Sequence, residues 1–131
     1  MLGRKKKDGA GEPKKTREER WQEKNAALIE LINGRRIREA LEAGKEMVEF
    51  VDREFKGDAR EKATTYNNMG MIFLLSRDYD LAEEAFHDAL NMRKRIYGDL
   101  HKEVAVILLN LVELYRTQAR EILELNPVEV K

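Results

Sequence analysis

The sequence repeats itself at an interval of 42 residues. Shifting the chain back by this interval places Ala82 on Ala40 and Asn67 on Asn25. Self-similarity at a fixed period of about 20–50 residues is the signature of a repeat architecture, in which identical structural units stack on one another. Because one offset aligns several separate segments, the sequence predicts two and a half copies of a single unit.

Each unit is predicted to be a pair of helices. From Thr16 onward apolar side chains recur three and four positions apart, which is the spacing of an amphipathic helix and not of a strand. No segment alternates with a period of two for long enough to indicate a sheet. The predicted fold is therefore all-α, with about five helices. The fifth is expected to continue to about Leu125, because Asn126 and Pro127 follow there.

Several residues have the types found at helix ends. Thr16 and Glu19 have capping-box spacing, so a first helix is expected to begin between them. Gly34 is predicted to end that helix in a left-handed conformation. Asp58 and Asp99 are expected to cap the third and fifth helices, since a carboxylate at this position accepts from backbone amides.

The composition excludes several kinds of chemistry. The chain has no cysteine, two histidines and a single serine, Ser76, so disulfides and cysteine-based zinc sites are excluded. Glu84 and His87 have the Glu-x-x-His spacing of di-iron bundles, but the second copy that such a site needs is missing. No apolar run approaches the ~18 residues of a membrane span. We therefore expect a cytoplasmic, non-enzymatic protein without metal or cofactor.

The charges are unevenly placed along a chain whose net charge is zero. The chain carries 25 basic and 25 acidic residues, but residues 1–20 hold eight basic and four acidic ones. We expect a flexible basic tail over 1–12, a repeat domain over 13–126 and a short tail over 127–131. The units are placed at about 21–62, 63–104 and, in part, 105–126. The tail's Arg4, Lys5, Lys6 and Lys7 leave open a nucleic-acid-associated function, although a solvated tail is the simpler interpretation.

The middle unit carries a recognisable motif. Its first helix contains Tyr-x-x-Met-Gly-x-x-Phe at 66–73, and its second contains Ala-x-x-x-Phe-x-x-Ala at 82–89. This pattern resembles the tetratricopeptide repeat, with small residues where paired helices touch and large ones between units. The longer period and the segment 98–105 resemble the extended repeats of kinesin light chains. The resemblance implies a right-handed superhelix whose first helices line a concave groove for a partner peptide or helix.

The resemblance also indicates which side chains face this groove. They lie on the first helix of each unit at positions that internal packing does not use: Asn25, Ile29, Asn67, Asn68, Met71, Asn110 and Glu113. Asparagine amides both donate and accept, so they can hold a peptide backbone with little demand on its sequence. The alternative is that these amides bond neighbouring helices and only shape the superhelix.

The fifth helix is predicted to have more apolar surface than one neighbouring helix can cover. Its apolar residues after the first turn include Ile107, Leu111, Leu114, Ile122, Leu123 and Leu125. An exposed apolar patch usually marks an interface. A homodimer formed through the fifth helices is therefore an alternative or additional function of the chain.

Overall fold

The repeat is built from five α-helices. A computed structural model describes residues 13–127. In chain order the helices are α1 (Arg17–Asn33), α2 (Ile37–Glu54), α3 (Arg60–Leu75), α4 (Tyr79–Tyr97) and α5 (Lys102–Leu125). No strand occurs within these described residues, so the all-α prediction is confirmed. The predicted tail at 1–12 and the last four residues lie outside the described range.

The helices form two layers. Each helix packs against the next one along the chain, and in addition α1 contacts α3 and α3 contacts α5. The first helices of the three units therefore lie side by side in one layer, with α2 and α4 in the other. None of the five helices is long and apolar enough to cross a membrane.

The middle unit is held together by a close contact between a glycine and a phenylalanine. Phe86 on α4 is fully buried, and its ring lies against Gly70 on α3. A Cβ atom at position 70 would lie only 2.5 Å from two ring carbons. The small residue predicted on α3 is therefore required, because the ring occupies the space that a side chain would need.

In the first unit the small and the large residue have exchanged places between the two helices. Leu28 occupies the position equivalent to Gly70 and is fully buried, whereas Gly44 occupies the position equivalent to Phe86. A Cβ atom at Gly44 would overlap the sulfur of Met69 and lie 3.2 Å from Cδ1 of Ile72. Side chains from the next unit therefore fill the space over Gly44, so the two units pack closely against each other.

The turns inside the first two units differ from the prediction. Gly34 has an ordinary φ of −82°, and the left-handed residue is Arg35, with φ 56°. Arg77 has φ 67° in the second unit, 42 residues later. In both turns the residue after the arginine donates its N–H to a carbonyl five residues back, at 3.0 Å in Arg36 and 2.9 Å in Asp78. These bonds satisfy helix carbonyls and so hold a non-glycine residue in the left-handed region.

The predicted helix caps are partly wrong. The capping box of Thr16 and Glu19 is confirmed, with both hydrogen bonds present. Asp58, however, does not cap α3, since it accepts two hydrogen bonds from Arg95 at 2.8 and 3.0 Å. This guanidinium lowers the pKa of the Asp58 carboxyl below its usual value. Asp99 does not cap α5 either, because His101 is the capping residue and its Nδ1 accepts a hydrogen bond from the Glu103 amide at 3.0 Å.

The fifth helix runs straight through the position where α1 and α3 end. It continues to Leu125, as predicted, and Asn126 follows it. Its second half is tied to the turn of the middle unit, where Arg77 and Tyr79 both donate hydrogen bonds to the Glu121 carboxylate. These contacts explain how a helix without a following partner stays in place over 24 residues.

The opposite end of the array is covered by cations. The guanidinium of Arg17 lies 4.9 Å from the ring centre of Phe55, and Lys24 Nζ lies 5.4 Å from that of Phe50. Arg20 and Arg53 also lie over Phe50. Such contacts cover apolar surface with alkyl stems while the charges stay in water. The N-terminal face is therefore adapted to solvent.

Candidate functional site

Two equivalent amide pairs cross the layer formed by α1, α3 and α5. The Nδ2 of Asn68 donates to Oδ1 of Asn25 at 2.7 Å, joining α3 to α1. The Nδ2 of Asn110 donates to Oδ1 of Asn67 at 2.8 Å, joining α5 to α3. Both pairs are 43 residues apart, so the same hydrogen bond recurs at each junction between units. We call these four residues the amide row.

The amide row agrees with both interpretations of the asparagines. The inter-helix bonds predicted by the structural alternative are present, and Asn67 is nearly buried. Each pair, however, uses one N–H of one amide and one oxygen lone pair of the other. An asparagine has two N–H groups and two lone pairs on its oxygen, so each side chain has hydrogen-bonding groups that the pairing does not use. The pairing fixes the orientation of these groups.

A second row lies one helical turn further along each first helix. Ile29, Met71 and Glu113 are separated by 42 residues from one to the next, so they hold equivalent positions in the three units. Ile29 is 39% exposed, Met71 is half-buried and Glu113 is exposed. The surface beside the amide row therefore changes from apolar on α1 and α3 to acidic on α5.

A cleft of about 490 Å³ opens at the end of this face where the helices turn. Met71 and Glu113, two of the predicted groove residues, line it. Its other charged lining residues are Arg35, Arg77, Arg120, Glu121 and Glu124. Arginines and glutamates of opposite sign line one cleft, so it suits a polar or zwitterionic segment better than an anion or a cation alone.

Hydrogen bonds fix part of this charged lining. The Glu121 carboxylate raises the pKa of the Arg77 guanidinium above its usual value. Burial, followed by the hydrogen bond to Glu121 at 3.0 Å, raises the pKa of the Tyr79 hydroxyl. Arg77 and Tyr79 therefore keep one protonation state across the neutral range, and their hydrogen bonds to Glu121 hold this wall of the cleft in place.

The cleft arginines are functional candidates that the sequence motif did not reveal. Arg35 and Arg77 hold equivalent positions in the repeat, so the 42-residue offset alone links them. Both have a left-handed backbone conformation, and both line the cleft beside the predicted groove. Arg120 is equivalent to Asp78 by the same offset, but α5 stays helical there, so the offset does not indicate its location.

Half of the predicted self-association residues are in the core. Ile107, Leu111 and Leu114 are buried with Phe86 and Leu90 in the cluster between α4 and α5, so assigning them to an interface was wrong. Their spacing of four and three places them on the face of α5 that packs against its own chain. Ile122, Leu123 and Leu125 are 52%, 51% and 75% exposed, as the prediction requires.

Metal chemistry finds no support in the part of the chain that the structure describes. Residues 13–127 contain no group of three or more His, Asp or Glu side chains placed to hold a metal ion. His87 lies on the α4 surface, 4.0 Å from a Glu83 oxygen, and His101 caps α5.

Comparison with known protein families gives one match. The family model described as "Tetratricopeptide repeat" matches residues 21–95 and 61–123. Together the two overlapping matches cover most of the 131 residues, including most or all of each of the five helices. No curated protein matches the chain at a significant level.

Proposed function

Because the chain belongs to the tetratricopeptide repeat family, we propose that the face formed by α1, α3 and α5 binds an extended peptide or a helix of a partner protein. Repeats of this family generally mediate protein–protein interaction. The observation that carries the proposal is the amide row, which repeats the same hydrogen bond at both unit junctions. The right-handed superhelix and the closer likeness to kinesin light chains stay predictions.

The amide row supplies what a peptide backbone needs. A peptide presents N–H and C=O groups at regular intervals, and an amide side chain can pair with either. The inter-helix bonds hold each side chain in one orientation before the ligand arrives. Less conformational entropy is then lost on binding, which favours affinity.

The second row and the cleft determine the chemistry of the ligand. Ile29 and Met71 favour an apolar side chain next to α1 and α3. The cleft next to α5, lined by both arginines and glutamates, favours a polar or zwitterionic segment. We therefore expect ligands with an apolar residue followed by a polar or zwitterionic segment along the direction from α1 to α5.

A catalytic function is not part of the proposal. The hydroxyl of Ser76, the single serine, donates to the Phe73 carbonyl at 2.9 Å within a turn. The ring of His101 stacks on Tyr97 with 4.5 Å between ring centres, and its Nδ1 serves the helix cap. These groups have structural partners, which supports a binding module. The nucleic-acid alternative depends on residues outside the described range and stays a prediction that a salt titration of binding would test.

The test is selection of peptides from a random display library followed by titration of the selected peptide against variants. Asn68→Ala should weaken binding by about tenfold, since one lost hydrogen bond of this kind is worth about 1 kcal/mol or slightly more. The matched control is Asn91→Ala, the same change at an exposed position on α4, in the other layer. It should leave the affinity unchanged.

The outcome can contradict the proposal in two ways. One such outcome is a selection that yields no peptide binding more tightly than about 100 μM. The other is that Asn68→Ala and Asn67→Ala both bind the selected peptide as well as the unaltered chain does. Either result means that the amides only connect helices.

A further inference from the structure

The outer face of α5 carries an exposed heptad pattern, of which Tyr115 also donates a hydrogen bond to Glu83 on α4. Its residues are spaced alternately by three and four: Ala105, Leu108, Val112, Tyr115, Ala119 and Ile122. All six are exposed, with the four larger side chains between 43% and 52% accessible. This spacing of apolar residues is the one by which two helices pack along their length.

The equivalent face of α3 in the middle unit is covered by a second helix. Val112 holds the position of Gly70, and Tyr115 holds that of Phe73. In the middle unit α4 covers the corresponding part of α3. In the third unit α5 continues as a helix past the turn position, so no second helix folds back on it within the described residues.

The order of small and large side chains identifies the partner. About a twofold axis between residues 113 and 114, an antiparallel second copy places Ala105 opposite Ile122 and Leu108 opposite Ala119. The same axis places Val112 opposite Tyr115, so each pair joins a smaller residue to a larger one. A parallel pairing would place Ala on Ala, which leaves a void, and Tyr on Tyr, which crowds two large side chains together.

The N-terminal face excludes head-to-tail stacking as the alternative. Cations of α1 and α2, among them Arg17, Arg20 and Lys24, cover that face. Arg17 and Arg20 form ion pairs there with Glu18 and Glu54, and seating an apolar stripe on the face would remove these charges from water, which is unfavourable. We infer that the chain forms a twofold homodimer through antiparallel pairing of the outer faces of its α5 helices. The dimer leaves the amide row accessible, and it does not depend on the proposed groove function.

The dimer predicts a mass that depends on concentration. One helix pair is smaller than the ~800 Å² per partner of a typical stable complex, so we expect dissociation in the micromolar range. Sedimentation or light scattering between about 1 and 500 μM should show a mass that rises from 15.3 kDa toward twice that value. A mass of 15.3 kDa at every concentration would overturn the proposal.

Two valines on α5 provide a matched pair of variants. Val112→Glu places a charge in the stripe and should raise the dissociation constant by at least about tenfold. Val106→Glu makes the same change on the groove side of α5 and should leave dimerisation unchanged. Both side chains are about half exposed, at 51% and 45%, so both variants should keep the helical circular dichroism signal. Equal loss of dimer in both variants would contradict the assignment of this face.

Cysteine cross-linking tests the register and direction, because the chain has no cysteine of its own. Chains carrying Ala105→Cys should form disulfides with chains carrying Ile122→Cys. Two chains that both carry Ala105→Cys should not cross-link to each other, since the two copies of position 105 would lie about 25 Å apart along the helix axis. Cross-linking between two Ala105→Cys chains would indicate parallel helices and overturn the proposed axis.

Discussion

Replacing Phe86 with alanine is expected to lower the free energy of unfolding by about 3–5 kcal/mol. The ring is fully buried, belongs to the cluster formed with α5, and lies directly on Gly70. Its removal leaves a cavity that the neighbouring helices fill only in part. Small domains have about 5–15 kcal/mol of stability in total, so the loss should be visible as a large shift in a urea unfolding curve.

The same helix offers the control for this prediction. Leu81→Ala also removes a large apolar side chain from α4, but Leu81 is 41% exposed. The expected loss is below about 1.5 kcal/mol, because less apolar area leaves the interior. Gly70→Ala should itself be destabilising, because the added methyl group overlaps the Phe86 ring. Replacing that ring with the smaller leucine side chain, in Phe86→Leu, should offset part of this loss. Equal effects of Phe86→Ala and Leu81→Ala would contradict the packing described for the middle unit.

Arg93→Ala is expected to cost about 2–4 kcal/mol of stability, a large effect for a charged residue. Arg93 is 6% exposed and joins three helices. It donates to the Glu103 carbonyl at 2.8 Å and to the Thr64 hydroxyl at 3.2 Å. Alanine removes these bonds and leaves space between α3, α4 and α5.

Arg95 is the control, two residues further along α4. Its two hydrogen bonds to Asp58 have better geometry than the 3.4 Å ion pair of Arg93 with Glu103. Arg95 is exposed, however, and water screens and competes for such pairs. Arg95→Ala should therefore leave the thermal unfolding midpoint nearly unchanged while Arg93→Ala lowers it clearly. The reverse order would show that surface ion pairs, and not the buried arginine, hold the units together.

The helical layers were predictable because they depend on periodicity. The offset of 42 residues and the spacing of apolar side chains define the five helices, and Gly70 was predicted to be small where paired helices touch. Phe86 was expected to lie between units, so its contact with Gly70 inside the middle unit was not predicted. The continuation of α5 to Leu125 followed from the absence of turn residues near position 119. All of these signals depend on residues within one helix or on one helix pair.

The errors arose where several contacts compete for one residue. Asp58 has the type and position of a helix cap, but a distant arginine on α4 binds it. Ile107 and Leu114 belong to the same apolar helix as Leu123, and only packing against α4 separates buried from exposed positions. The amides of Asn67 and Asn68 were expected on the functional face. The sequence did not indicate that Asn67 pairs with a residue of α5 and Asn68 with one of α1, because this depends on how the helices lie side by side.

Contact between the amide row and a bound peptide can be observed directly by nuclear magnetic resonance of the asparagine side-chain NH₂ groups during titration with a selected peptide. We expect shifts in the signals of Asn25, Asn67, Asn68 and Asn110, with those of Asn91 unchanged. Saturable binding that shifts Asn91 on α4 and leaves the amide row unchanged would show that the peptide binds elsewhere.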